Sequence, residues 1–294
     1  MKTALECMPC LLKQALYAAR LSTSSSELQR KIMDNVAQIL PDLDFSLSPP
    51  QNSTRVYSEI ASLSQCMDPF ADLKKESNEL ALSLSVEAKK AISLSNDQLL
   101  AAIIFSIAGN IIDYGSQQDF NTQKTIRNCL NQQLTINDYQ FLKEDIKNAN
   151  TILYLGDNSG EIVFDSLVIE HLDNDVIFAV KENPIINDAL LQDAIECELD
   201  KKCRVISNGT SCPGTPLVDC SETFLEYFNK ADVIISKGQG NFETLSEVNR
   251  PVYFLLTVKC TIVANHIMEL SGKEVETGGM ILMKKAATEP AILP

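Results

Sequence analysis

The chain has 294 residues, a formal net charge of −14, and 45% apolar against 22% charged residues, the proportions of an ordinary globular protein. The acidic balance argues against a nucleic-acid partner, whose phosphate backbone demands a basic face. It leaves room for a small anion held by one or two lysines, helix N-termini and a divalent cation. No apolar run approaches the roughly 20 residues that span a bilayer; the longest, 99–112, is broken by Ser106, Gly109 and Asn110.

The opening MKTALE carries an acid and no apolar stretch, so no secretory leader is expected. Nine cysteines, an odd number scattered through the chain, argue against a disulfide framework and point to the reducing cytoplasm.

Residues 1–148 read almost entirely as helix. Leu5, Leu11, Leu12, Ala15 and Leu16 fall near helical spacing, as do Leu28, Ile32, Val36 and Ile39. Residues 40–54, rich in Pro, Ser and Asp, read as a loop. Asp68-Pro69 resembles an N-cap and first-turn proline ahead of a long helix through Phe70, Leu73, Ser77 and Leu80. Another helix opens near Ser95-Asn96 with Leu99, Leu100, Ile103, Ile107 and Ile111 on its apolar face.

From residue 149 short β-branched runs appear at 151–155, 176–180, 204–207, 233–236 and 252–256, with helical stretches between most of them. That alternation predicts an α/β fold with a mostly parallel open sheet flanked by helices. A division into a helical part, 1–148, and an α/β part, 149–294, follows, although the two could share one core.

Each of these strands runs directly into a polar or glycine-rich segment. The first is followed by GDNSGE (156–161), the second by KENPIIND (181–188), the third by Asn208-Gly209, the fourth by KGQGN (237–241) and the fifth by TVK (257–259). Open α/β sheets bind ligands at the carboxyl ends of their strands. Asp157, Asn158 and Asp188 are oxygen donors suited to Mg²⁺, Mn²⁺ or a similar cation. Taken alone, Asp157-Asn158 would serve equally as a capped turn.

Lys237 and Lys259 are candidates to hold a phosphoryl group, with Gly238 and Gly240 exposing backbone N–H groups beside them. A turn glycine pair and solvated lysines would look the same. Cys7 and Cys10 form a C-x-x-C without the second pair a zinc site needs, and read best as two half-buried thiols on a helix. No Gly-x-Ser-x-Gly, Walker A or Gly-x-Gly-x-x-Gly pattern follows the first strand.

The segments LGDNSGEIVFD (155–165), VKENPIINDA (180–189), SKGQGNFE (236–243) and LTVKC (256–260) resemble the damage-control phosphatase family, which includes acidic-residue methyltransferase-like proteins. ECMPCLLKQAL (6–16), DPFADLKKESN (68–78) and AGNIIDYG (108–115) are similar to its C-x-x-C-bearing prokaryotic subgroup. The resemblance implies a helical N-terminal part and a Rossmann-like α/β part. It implies a divalent metal, Mg, Mn, Co or Ni, on Asp157, Asn158 and Asp188, and hydrolysis of sugar phosphates or damaged phosphometabolites. Lys259 would contact the phosphate, with Lys237, Gly238, Gly240 and Asn241 beside it and Asn110 and Asp113 lining the same cleft. Attack by a metal-activated water or by Asp157 remains open. The rival expectation is a protein that binds a nucleoside cofactor such as S-adenosylmethionine, or a methyltransferase, without phosphatase activity.

Overall fold

The structure is a computed structural model that describes residues 1–109, 129 and 132–287. Asn110 and Asp113 therefore lie outside the described residues, as does Ile111. The chain opens with α1 (Cys7–Ser22), α2 (Ser26–Ile39), α3 (Pro49–Ser64), α4 (Ala71–Ser93) and α5 (Gln98–Ala108). Then come β1 (Leu134–Asn137), α6 (Tyr139–Asn148), β2 (Thr151–Leu155), α7 (Glu161–Ile169), β3 (Asp175–Val180), α8 (Leu191–Glu196) and β4 (Arg204–Ser207). The last run is α9 (Glu222–Lys230), β5 (Val233–Lys237), α10 (Gln239–Leu245), β6 (Val252–Thr257), α11 (Thr261–Ser271) and β7 (Met280–Lys285).

Local chemistry explains where the helices begin. Ser25 caps α2 by accepting from the Leu28 amide, and Asp97 caps α5 by accepting from Leu100. Residues 40–54 are not all loop: α3 starts at Pro49, with Ser48 as N-cap and prolines in the first turn. Those prolines read as loop formers, yet the first helical turn is where the missing N–H does no harm. Helix α4 likewise begins two residues after Pro69, and Asp68 instead pairs with Lys74 at 2.6 Å.

Seven strands form one sheet in the order β1-β7-β6-β5-β2-β3-β4. Strands β6, β5, β2, β3 and β4 are mutually parallel, β7 runs antiparallel to β6, and β1 runs parallel to β7. Strands β1 and β7 were not expected. In β1 only Ile136 is buried, and the short methionine-containing β7 has no period that separates strand from helix.

Alternate strand residues face opposite layers. Ile152, Tyr154, Phe178, Ile235 and Tyr253 pack with α4, α5, α6 and α7, while Leu153, Leu155, Ile177, Ile234 and Phe254 pack with α9, α10 and α11. The first of these layers joins Leu84 and Phe105 to Phe164 and Phe178, so one core crosses the division at residue 148. A separate cluster ties α1, α2 and α3 together and includes Ile185, in the loop after β3.

Phe164 of α7 is fully buried, and its ring lies so close to Gly109 that a side chain there would meet it. Phe164→Ala is expected to lower the unfolding free energy by about 3–5 kcal/mol. Urea denaturation measures this, and a loss below about 1 kcal/mol would contradict the shared core.

Candidate active site

Chain order reverses between β2 and β5: β3 and β4 lie on one side of β2, β5 and β6 on the other. Loops on either side of such a switch point leave a crevice at the carboxyl ends of the strands. The loop after β2 carries Asp157 and Asn158, and the turn after β5 carries Gly238.

The loop after β3 folds back onto the first of these. Asn158 and Asp188 form an antiparallel bridge, the Ser159 amide donates to Asn187 O at 2.9 Å, and the Ala189 amide donates to Asp157 O at 2.9 Å. The structure thus brings Asp157, Asn158 and Asp188 together. Ile186, in the same loop, has φ +47, rare for a β-branched residue and a mark of strain of the order of 1–3 kcal/mol. Its neighbour Ile185 is held in the α1–α3 cluster, which fixes the loop from the helical side. Helix α4 reaches the site as well: Asn78 accepts the Gly160 amide at 2.6 Å and donates to Asp193 at 2.8 Å.

Asp157 and Asp188 are buried. Burial, then the charges of Glu161 and Asp188, push the Asp157 carboxyl up to about 8, against the opposing pull of Lys259 and Lys181. Burial raises Asp188 to about 6, with Lys181 and Lys259 opposing it. Asp188 Oδ2 has no hydrogen-bond partner among the described residues, and the Lys181 ammonium stands 3.6 Å away. Crowded, desolvated carboxylates with an unmatched oxygen are a donor set short of positive charge.

Two lysines serve inside the protein. Lys181 donates to Gly214 O at 2.5 Å and lies 3.4 Å from Asn241 Oδ1. Lys237 departs from the expectation that it grips phosphate. Its ammonium is fully buried and donates to Glu161 at 2.5 Å, Asp165 at 2.7 Å and Ser106 O at 2.9 Å. Asn241 is also buried: its amide donates to Gly156 O and Lys237 O and accepts from Thr215, so it braces the β2 and β5 turns.

Gly238, at φ +78, leaves no room for a Cβ beside the Asp157 carboxylate, and Gly240 likewise packs against Pro213 O. Lys259 is exposed, close enough for its charge to act on both aspartates, and its amide donates to Gln239 Oε1 at 2.9 Å.

Sequence reasoning missed Glu161 and Asp165. They stand one turn apart on α7, whose nine residues are all buried. Two acids four apart in a helix otherwise apolar but for Ser166 were the available signal, since such groups need an internal cation. Cys7 is half-buried and Cys10 exposed in the first turn of α1, and all nine cysteines are free thiols.

The family model for the damage-control phosphatase ARMT1-like domain matches residues 3–275. A damage-control phosphatase from Pyrococcus horikoshii, PH1575, is 35% identical over 97% of this chain and 98% of its own length. A damage-control phosphatase from Archaeoglobus fulgidus is 32% identical over 91% of this chain and 96% of its own. An uncharacterized protein from Methanocaldococcus jannaschii, MJ0202, is 34% identical over 95% and 94%. The crystal structure of the P. horikoshii protein, described as a DUF89 family protein, superposes with a TM-score of 0.89 over 97% of this chain and 99% of that one. The chain belongs to the damage-control phosphatase ARMT1-like family, a family of phosphatase enzymes.

Gly238→Ala should displace the Asp157 carboxylate while keeping the sheet. Turnover of p-nitrophenyl phosphate is expected to fall about 10²-fold or more with an unchanged far-UV dichroism spectrum. Wild-type turnover in this variant would refute the close approach.

Proposed function

We propose that this chain hydrolyses small phosphomonoesters, sugar phosphates or damaged phosphometabolites, in a reaction that requires a divalent cation. The observation that carries the reading is the convergence of Asp157, Asn158 and Asp188 at the switch point, with Lys259 exposed beside them. Among the described residues no three His, Cys, Asp or Glu side chains form a ready metal cage. Two carboxylates and an amide instead suit a hard, partly hydrated cation that takes its remaining ligands from water and phosphate. The raised Asp157 and Asp188 carboxyls and the unmatched Asp188 oxygen fit such a cation.

Asp157 and Asp188 would hold it through their carboxylates and Asn158 through Oδ1. Bound there, such a cation would supply positive charge to the phosphoryl oxygens and a lowered pKa to water. Lys259 binds the anionic substrate as a mobile point charge. The first-turn amides of α10, which have no carbonyl partners within the helix, offer further donors. Gly238 is excluded from this role because its amide donates to Leu255 O. Hydrolysis by direct attack forms a phosphorus–oxygen bond from water and breaks the ester phosphorus–oxygen bond, the water's proton leaving on the alcohol. Attack by Asp157 forms an aspartyl phosphate with loss of the alcohol, and water then cleaves it to phosphate and the free carboxylate.

The same geometry weighs against a pyrophosphate-bearing dinucleotide cofactor. A dinucleotide fold presents a bare glycine turn at its first strand end, whereas here that turn carries Asp157, with Glu161 in the next helical turn. Without a cation those acids repel a pyrophosphate. The free thiols support a reducing cytoplasm. Among the described residues, no helix is long and apolar enough to cross a membrane.

Lys259→Ala is expected to lower kcat/KM for phosphate esters by about 10²–10³ with little change in melting temperature, because the side chain is exposed. Asp188→Ala should abolish cation-dependent turnover. Steady-state kinetics on a sugar-phosphate panel measures both, and full activity in either variant would defeat the assignment.

A further inference from the structure

Asn158 can serve a cation only through its carbonyl oxygen, and an amide can rotate to present the wrong end. Its Nδ2 lies 2.8 Å from Asp157 Oδ2 and 3.1 Å from Glu161 Oε2. The Glu161 carboxylate, with its other oxygen on the Lys237 ammonium, accepts hydrogen bonds and does not donate them. Its chemistry therefore requires the Asn158 nitrogen, not the oxygen, on the Glu161 side. Both amide hydrogens have acceptors there, so the end of the Asn158 amide left for a cation is Oδ1.

Glu161 is itself held. It is 1% exposed, and its other oxygen accepts the Lys237 ammonium at 2.5 Å. Lys237 is fixed in turn by Ser106 O and by Asp165, which also accepts from Ser106 Oγ at 2.7 Å and Tyr154 OH at 2.9 Å. A continuous buried chain thus runs from α5 and β2 through α7 and β5 to the Asn158 amide. Buried contacts of this kind orient ligands because every donor in the chain meets an acceptor of fixed position.

We propose that Glu161 is a positioning residue: backed by Lys237, it locks the Asn158 amide with its carbonyl oxygen presented to the divalent cation. The inference rests on the cation-dependent reading of the site. Glu161→Gln tests it because the change conserves shape. To keep Lys237, the new side chain must turn its carbonyl oxygen to the ammonium, which leaves its NH₂ against the Asn158 NH₂. Two donors then face each other, and the Asn158 amide rotates to relieve them.

The experiment titrates Mn²⁺ alone into the chelator-stripped full chain by calorimetry, with melting temperatures measured alongside. Glu161→Gln is expected to weaken Mn²⁺ binding by about 10–100-fold. Asp165→Asn removes the other carboxylate from Lys237 without touching Asn158 and should leave the Mn²⁺ affinity within about twofold. In an Asn158→Ala background, which keeps both aspartates, Glu161→Gln should add no further loss. Wild-type affinity in Glu161→Gln would overturn the proposal. Equal losses in Glu161→Gln and Asp165→Asn would reduce the chain of contacts to general support, and a full loss persisting without Asn158 would make Glu161 an independent ligand. Both results reject the positioning role while the cation site stands. A wild-type protein that binds no Mn²⁺ fails earlier, at the cation itself.

Discussion

Taking an ionised carboxylate out of water costs several kcal/mol unless a partner offsets it. At the carboxyl edge of this sheet Asp157, Glu161, Asp165 and Asp188 are all buried, against two buried ammonium groups, Lys181 and Lys237. Lys237 answers Glu161 and Asp165 within hydrogen-bonding distance, and Lys181 stands near Asp188. Burial raises the Asp157, Asp165 and Asp188 carboxyls alike, and of these Asp157 and Asp188 lie where the loops after β2 and β3 meet. On the proposed reading a divalent cation at that point would offset the imbalance, and the loops after β2 and β3 hold the oxygens together through the Asn158–Asp188 bridge.

The backbone explains how those side chains come to one point. Strands β2 and β5 are adjacent although the chain between them passes through β3 and β4, so the turns of two separate crossovers meet. Close approach at that junction needs Gly238, because any side chain there would occupy the space of the Asp157 carboxylate. Among the described residues, the helical part positions the site: Asn78 of α4 holds the Gly160 amide, and the α1–α3 cluster takes in Ile185. Composition divides the chain near residue 148, but α5 and α7 pack into one core across that line.

Much of this could be read from residue order, for a physical reason. Strand ends are legible from apolar runs, so the placement of Asp157, Asn158 and Asp188 in the loops after β2 and β3 follows from counting strands. Direction is harder than position. Lys237 ends β5 and was expected at the rim, yet it shares parity with Val233 and Ile235, which face α5 and α7. That parity, set beside the Glu161 and Asp165 pair, is enough in retrospect to turn the lysine inward. Strands β1 and β7 escaped because a short edge strand with one buried residue, and an apolar run of four followed by two lysines, carry no distinguishing period. The start of α3 was hidden by prolines whose tolerance depends on a boundary not yet known.

The most direct measurement is phosphate release by the wild-type chain after chelation, with and without added Mg²⁺, Mn²⁺, Co²⁺ or Ni²⁺. Release that is absent in the stripped protein and restored by one of these ions is expected if the carboxylate excess is a cation site. Equal release with and without metal, from protein shown to be cation-free, would contradict it and leave Lys259 and the α10 amides to act alone.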